Sequence, residues 1–391
     1  MRILLVNEAR MGGGGVESYL AALVPELRAR RHEVALLYAN TRAEQGPTDV
    51  NVDPSWSVRD LGLPPAIDAA RAWRPDVCFA HNMRYLEIDE AIVGQWPTIK
   101  MMHAYAGACL SGHKAFSFPA AVACPRACNA GCLVYFLPRR CGRLRPDVMV
   151  TQYRWARRQQ ALLPRYDGVV VASEHMRGEF GRYGAARIAT IPLFTAGPAA
   201  SGGVRDIDVA FFGRLTPLKG PDLLIEALAH ASRALARPLR ALVAGDGPLR
   251  PDLVARTSAS GADVQIDVPG WLHAAERDAA LARTSVLAVP SRWPEPFGLV
   301  GLEAARFGVP SVAFDTGGIR TWLSDGVNGL LVPPSEGPRG FGDTLARALG
   351  DERRLAALSA NAREASARFS AAAHIDALEQ VLQQWRRPGT C

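Results

Sequence analysis

The 391-residue sequence has no uncharged apolar run close to the roughly 18 residues that a helical membrane span needs, which excludes an integral helical membrane protein. Its first apolar stretch, Ile3 to Val6, meets Glu8 too soon to serve as the apolar core of a secretory signal. Aromatic residues make up only 7% and charged residues 21%, with a mean hydropathy of 0.00, so neither a disordered nor a fibrous class fits. The second half lacks any charge excess, with 21 Lys+Arg against 21 Asp+Glu over residues 201–391. The net +7 therefore lies wholly in the first half, where 24 basic residues face 17 acidic ones. Between Arg139 and Arg187 eleven arginines meet four acids. Such a surface suits a phosphorylated acceptor, an anionic lipid or nucleic acid, or is simply a solvated face. The expectation is a cytoplasmic protein, with peripheral membrane contact left open.

What is present is a repeated alternation of short apolar strands and amphipathic helices. Ile3-Leu4-Leu5-Val6 reads as a buried strand, Gly12 to Gly15 as a loop, and Val16, Leu20, Leu23, Val24 and Leu27 as one face of a helix. Strand-like runs end at Tyr38, Ala80, Met102, Val171 and Ile191, and helical segments fill Ala66 to Trp73, Met149 to Leu163 and Glu174 to Tyr183. That order predicts an α/β domain with a parallel sheet. Residues 196–205, rich in Gly, Pro and Ser, read as a linker. The pattern then restarts with strands over Val209 to Phe212, Leu239 to Ala244, Val264 to Val268, Val286 to Val289, Ser311 to Phe314 and Gly329 to Val332. Ala372 to Arg386 is an amphipathic helix with no strand after it. At this length two domains are expected.

In open parallel sheets ligands sit beyond the carboxyl ends of the strands. Gly213-Arg214-Leu215-Thr216-Pro217-Leu218-Lys219-Gly220 follows a strand, and Pro221 opens the next helix. Two cations beside a helix N-terminus make an anion site, with a diphosphate as the natural guest. Pro294-Glu295-Pro296-Phe297-Gly298-Leu299 leads from a strand into a helix that holds Glu303. The N–H groups of Phe297, Gly298 and Leu299 are placed to bind an oxyanion or sugar hydroxyls, and the two carboxylates to bind two polyols. Asp206-Ile207-Asp208 matches the metal-binding Asp-x-Asp pattern but precedes its strand, at the wrong end of the sheet.

Taken together, Gly-Gly-Val-Glu-Ser near the N-terminus, Gly213-Arg214-x4-Lys219-Gly220, Ala244-Gly245-Asp246-Gly247-Pro248, Glu295-x7-Glu303 and Thr316-Gly317-Gly318 resemble the family-4 glycosyltransferases. The resemblance implies the GT-B fold, two Rossmann-like parallel-sheet domains facing a central cleft. Residues 1–195 would form the acceptor domain, 205–370 the donor domain, and 371–391 a helix packing back toward the first. It implies a retaining, metal-independent transfer of a hexose-type sugar from a UDP- or GDP-linked donor. The acceptor would be a sugar, a lipid-linked or a small molecule, with no cofactor and no nucleic acid. By the same resemblance Arg214 and Lys219 grip the diphosphate, and Gly14 and Gly15 close over it. Gly245 and Asp246 lie on the donor side. Glu295 and the main chain of Phe297, Gly298 and Leu299 hold the sugar, and Glu303 holds the ribose. His103 would stand by the anomeric carbon, with His81 and Tyr105 toward the acceptor, so that His103, Glu295, Arg214 and Lys219 form the catalytic set. Two departures stand out: Arg320-Thr321 where a Glu is frequent, and Ala104-Tyr105 where Asp-Tyr is frequent. A nucleotide-sugar 2-epimerase or an inactive sugar-nucleotide binder would share much of this pattern. A dehydrogenase would not, because no acid ends the run Val34 to Tyr38.

Five of the seven cysteines, Cys109, Cys124, Cys128, Cys132 and Cys141, crowd into 33 residues after His103. In a reducing compartment that crowding points to metal rather than disulfides, though the x3, x3, x8 spacing matches no standard zinc finger. A structural zinc or iron–sulfur site, with cysteines four apart sharing a helix face, is one expectation; small buried thiols are the other.

Overall fold

The computed structural model describes residues 1–12, 15–40, 48–81, 84–195, 197, 203–259 and 263–385. Seven strands form the first sheet: β1 Arg2–Ala9, β2 Glu33–Asn40, β3 Ser55–Ser57, β4 Val77–Ala80, β5 Thr98–Met102, β6 Gly168–Val171 and β7 Ile188–Thr190. Their order is β7-β6-β5-β4-β1-β2-β3, every pair parallel. Six more form the second: β8 Ile207–Phe212, β9 Leu239–Ala244, β10 Val264–Gly270, β11 Thr284–Val289, β12 Ser311–Phe314 and β13 Gly329–Val332. These lie in the order β10-β9-β8-β11-β12-β13, again all parallel.

The strands read as unbroken apolar runs because both faces of each sheet are covered. Along β1, Ile3 and Leu5 join one core with Leu20, Leu23 and Leu27 of the helix Gly15–Ala29. Leu4 and Val6 join the opposite core with Ala66, Ile67 and Ala70 of the helix Leu63–Trp73. In the second sheet Val209 and Phe211 pack on the helix Pro221–Leu235, while Ala210 faces the other side. This is the period-2 alternation of a strand between two helical layers.

The helix Ala371–Trp385 crosses back to the first domain. Its Ile375, Leu378 and Leu382 enter the core beneath Leu20 and Leu23, and its Trp385 ring lies where a side chain on Gly168 would stand. The expected helix at Met149 to Leu163 is present as Pro146–Leu162, and Glu174 to Tyr183 divides into the helix Glu174–Phe180 and a 3₁₀ turn. Pattern reading missed the helix Leu86–Ile92, whose Asp89 is wholly buried, and the three-residue β3. Most of the 196–205 linker and Gly14 of the glycine loop lie outside the described residues. Among the described residues no helix is long and apolar enough to cross a membrane.

Candidate active site

The carboxyl ends of the two sheets face each other, and three contacts tie them together. Ser173, just past β6, donates its hydroxyl to the Pro296 carbonyl at 2.6 Å. Tyr105, past β5, reaches the Glu295 carbonyl at 3.5 Å, and the His113 ring stands 6.2 Å from that of Trp293. These three contacts converge on residues 293–296 of the second domain.

On the second domain, β8 ends at Phe212 and the chain enters the Arg214 loop. That loop is held from the side by β9: Gly213 N–H donates to the Ala244 carbonyl at 3.1 Å and Leu215 N–H to the Asp246 carbonyl at 2.8 Å. Only glycine fits at position 245, where φ is +142° and a Cβ would stand 1.8 Å from the Gly213 carbonyl oxygen. The Asp246 carboxylate accepts from the N–H of Gly247 at 2.8 Å, a local turn bond. Gly245 and Asp246 thus shape the Arg214 loop.

Lys219 and Glu295, 76 residues apart, meet at 2.6 Å. The Glu295 carboxylate is buried, accepts a second bond from the Ser291 hydroxyl at 2.5 Å, and lies under a lysine that also sits 5.1 Å from the Trp293 ring centroid. Arg214 is exposed and stays in the cleft mouth. Burial first, and then the Arg214 charge, hold the His113 imidazole below its usual range. The Glu295 loop owes its course to Gly317, where φ is +60° and a Cβ would come within 2.3 Å of the Glu295 carbonyl oxygen. Beyond it, Gly298 opens the helix Leu299–Arg306 at φ +87° without a side-chain cap. Among the described residues no acceptor meets the N–H groups of Phe297 and Gly298, which are left for a guest. Glu303, one turn into that helix, pairs with Arg277 at 3.2 Å; burial pushes its carboxyl up and Arg277 opposes the shift.

The first domain presents a different constellation. His81 follows β4 and His103 follows β5, with His81 Nδ1 3.0 Å from His103 Nε2. The Tyr19 ring meets His103 edge-on at 5.4 Å, and the Tyr19 hydroxyl lies 2.8 Å from His374 Nε2. His374 Nδ1 is 2.7 Å from the Pro192 carbonyl, which can only accept, so the proton is on Nδ1 and Tyr19 donates to Nε2. Burial, with Lys100 adding, pushes His103 down to about 3, and burial pushes His374 down to about 4. His81 falls well below its usual range for the same first reason. The cluster is neutral. Lys100 itself is buried against Asp89 at 2.7 Å.

Two acceptor-side expectations need correcting. His81 and Tyr105 are wholly enclosed and present no surface to an acceptor; Tyr105 is a strut between the domains, because its ring is buried and its hydroxyl lies against the Glu295 backbone. His103 keeps partial exposure. Gly15 starts its helix with open space beside it. Asp206 and Asp208 are bound to Arg283 and Arg237 at the amino end of β8, as their position suggested. Much of the arginine surplus is likewise paired, Arg158 with Glu87 and Glu90, and Arg145 with Asp147.

The five clustered cysteines converge, but not on a helix face. Cys124 and Cys128 lie in irregular chain, and only Cys132 opens the short helix Cys132–Phe136. Among the described residues no three His, Cys, Asp or Glu side chains stand ready to coordinate a metal. The thiols are nevertheless close: burial first, then Cys109, Cys124 and Cys132, push Cys141 up to about 12.

Residues 13–195 match the family model for glycosyltransferase family 4, and residues 203–365 match that for glycosyl transferases group 1, one on each domain. The chain belongs to the family-4 glycosyltransferases. Solved GT-B structures confirm the fold of this family-4 member. Anabaena HepE in complex with UDP superposes with a TM-score of 0.69 at 20% identity, over 98% of this chain and 100% of that one. Staphylococcus aureus TarM, bound to UDP and other ligands, gives 0.70 at 10% identity over 98% and 100%. Among curated relatives, the D-inositol 3-phosphate glycosyltransferase of Xylanimonas cellulosilytica is 38% identical over 188 residues, 46% of this chain and 43% of the relative. The alpha-D-kanosaminyltransferase of Streptomyces kanamyceticus is 30% identical over 177 residues, 45% of each. The matched stretch thus spans less than half of these curated relatives.

Proposed function

We propose that this family-4 member is a retaining glycosyltransferase that moves a hexose-type sugar from a nucleotide diphosphate to an acceptor hydroxyl without a metal. The observation that carries this reading is the Lys219–Glu295 pair at the carboxyl end of the second sheet, beside exposed Arg214 and the free N–H groups of Phe297 and Gly298. A diphosphate drawn to Arg214 takes Lys219 as its second cation. Glu295, released from the lysine, then turns its oxygens to the sugar hydroxyls while the helix start supports them. Glu303, held by Arg277 one turn into the helix Leu299–Arg306, takes the ribose. Negative charge growing on the departing phosphate is stabilised by fixed cations and unpaired N–H groups, which is the largest single device available to such a site. His103, neutral and partly exposed, borders the anomeric carbon, where the leaving group departs and the acceptor attacks on one face. UDP bound in HepE and in TarM favours a uridine donor, and the inositol-phosphate enzymes among the relatives fit an acceptor that is a phosphorylated polyol.

Thermal-shift screening of nucleoside diphosphates, followed by sugar-release assays on the best base, tests the donor. Stabilisation by a diphosphate and not by its monophosphate is expected. Activity that is lost in EDTA and restored by Mg or Mn overturns the metal-free reading, and sugar-nucleotide isomerisation without any acceptor replaces transfer with epimerisation.

A further inference from the structure

The excursion between β5 and β6, residues 103–145, is built almost without regular structure. It holds two paired strands of two residues each, Ala115–Phe116 and Val122–Ala123, and the five-residue helix Cys132–Phe136. Its own core is small: Leu110, Cys128 and Phe136, with Ala156 from the helix that follows. Beyond that core it is tied to the domain by the Lys114–Glu179 ion pair and by Gln160 and Tyr183, and a segment with so little regular structure is one that a metal would order further. Its cysteines are all free.

Four of these thiols border one space. Cys109, Cys124, Cys132 and Cys141 line a cavity of about 20 Å³ closed by Phe116, Tyr135 and Phe136. They come from four separate points of the chain, which no single turn requires. As placed, three of them make weak contacts: Cys109 with the Ser111 hydroxyl at 3.5 Å, Cys132 with the Ala127 carbonyl at 3.7 Å and with the Cys128 thiol, and Cys141 with the Tyr135 carbonyl at 3.8 Å. A thiol hydrogen bond is weak, and one torsion reorients a cysteine, so turning the sulfurs inward costs little against thiolate coordination.

We infer that Cys109, Cys124, Cys132 and Cys141 form a four-thiolate site for a single soft divalent cation, zinc, which locks this excursion. Binding releases the thiol protons and leaves four thiolates around one cation, a net negative unit. Arg126, on the cavity wall, complements that charge. The cavity volume is about that of one water-sized guest, which selects a lone ion over a sulfide-bridged cluster. Cys128 is left out of the ligand set because it does not line the cavity: its thiol lies against that of Cys132, its N–H donates to the Tyr183 hydroxyl at 2.6 Å, and its carbonyl takes the Gln160 amide at 3.2 Å. The zinc holds in place the loop that sets His113 against Trp293, so it supports the cleft without entering the chemistry.

Metal analysis of the full chain, expressed with zinc supplied, should find about one zinc per chain, and Co2+ exchanged into the site should give the charge-transfer and ligand-field bands of a tetrahedral thiolate. Cys124→Ser and Cys141→Ser should abolish both and speed proteolysis between residues 103 and 145, while Cys128→Ser keeps both. Should the serine variants fail to fold, thiol counting on the wild-type chain decides: zinc must protect four thiols from a disulfide reagent, and a chelator must expose them. Zinc-free protein with five reactive thiols, iron with acid-labile sulfide, or metal loss in Cys128→Ser would each overturn the inference.

Discussion

Across the cleft, two sets of strand ends solve the same placement problem with opposite electrostatics. On the second domain the two cleft carboxylates each have a cation in contact, Glu295 with Lys219 and Glu303 with Arg277. On the first domain His81 and His374 are buried and His103 is half-buried, all uncharged and linked to one another and to Tyr19 by neutral hydrogen bonds and ring contacts. A charged wall suits a diphosphate, whose charge grows as it leaves. A neutral wall suits a hydroxyl acceptor and a sugar, where a fixed cation would compete with the diphosphate for the same electrons. The contrast implies that substitutions on the two walls fail in different ways: on one side through binding and turnover, on the other through acid stability.

The largest effect is expected from Lys219→Ala. It removes a phosphate cation and also leaves the buried Glu295 carboxylate without its partner, so turnover should fall by about 10²- to 10³-fold and the melting temperature should drop as well. Steady-state kinetics alongside calorimetry checks both; a drop in one without the other breaks the claim that a single lysine serves both states.

Next comes acid sensitivity of the histidine wall. Folded His374 and His103 titrate near 4 and 3, below the roughly 6.5 of an unfolded histidine, so the unfolded chain takes up protons that the folded chain refuses. Stability is fully present above about pH 6.5 and is lost as pH falls toward the folded values, by about 1.4 kcal/mol per pH unit for each such histidine. His374→Gln should flatten the dependence of denaturation midpoints on pH between 6.5 and 4. An unchanged slope would show that the wall does not titrate as a unit with the fold.

Arg214→Ala should come third. The exposed guanidinium makes a charge-assisted contact worth about 1.5 to 3 kcal/mol to a diphosphate, so nucleotide affinity should weaken roughly 10- to 150-fold with no change in melting temperature. Titration calorimetry measures the first and thermal unfolding the second. The smallest effect separates the two glutamates. Glu303→Gln should weaken bare nucleotide by about 1 kcal/mol, the worth of one hydrogen bond, whereas Glu295→Gln should leave that affinity alone and lower turnover. Identical behaviour of the two in both assays removes the division between sugar and ribose.

The fold was readable wherever a single local pattern decided it. Ile3 to Val6, Val209 to Phe212 and Val286 to Val289 are too apolar and too short for anything but covered strands, and their order leaves little but two parallel sheets. Strand ends then point to Arg214, Lys219, Glu295 and His103. What stayed hidden was pairing at a distance. Nothing near Glu303 announces Arg277, and nothing near Tyr19 announces His374, which arrives from 355 residues away. Lys100 and Asp89 look like surface charges until the helix Leu86–Ile92 buries them together. The glycines of Gly245-Asp246-Gly247 and Gly317-Gly318 were legible as a motif. Their steric purpose was not, because it depends on which backbone passes alongside. Tyr105 shows the reverse: the family resemblance implied an acceptor role, and only the opposite domain shows that its hydroxyl lies against the Glu295 carbonyl.

The chain passes between its two domains twice, once between β7 and β8 and again just before the helix Ala371–Trp385. A body joined to another at one point can swivel in any direction, but two points of attachment define a hinge line and leave essentially one rotation. The returning helix is anchored firmly, with Glu379 on Arg30 and His32 at one face and His374 on Tyr19 and Pro192 at another. The two domains are therefore joined by two covalent crossings as well as by the contacts of Ser173 with Pro296 and of Tyr105 with Glu295.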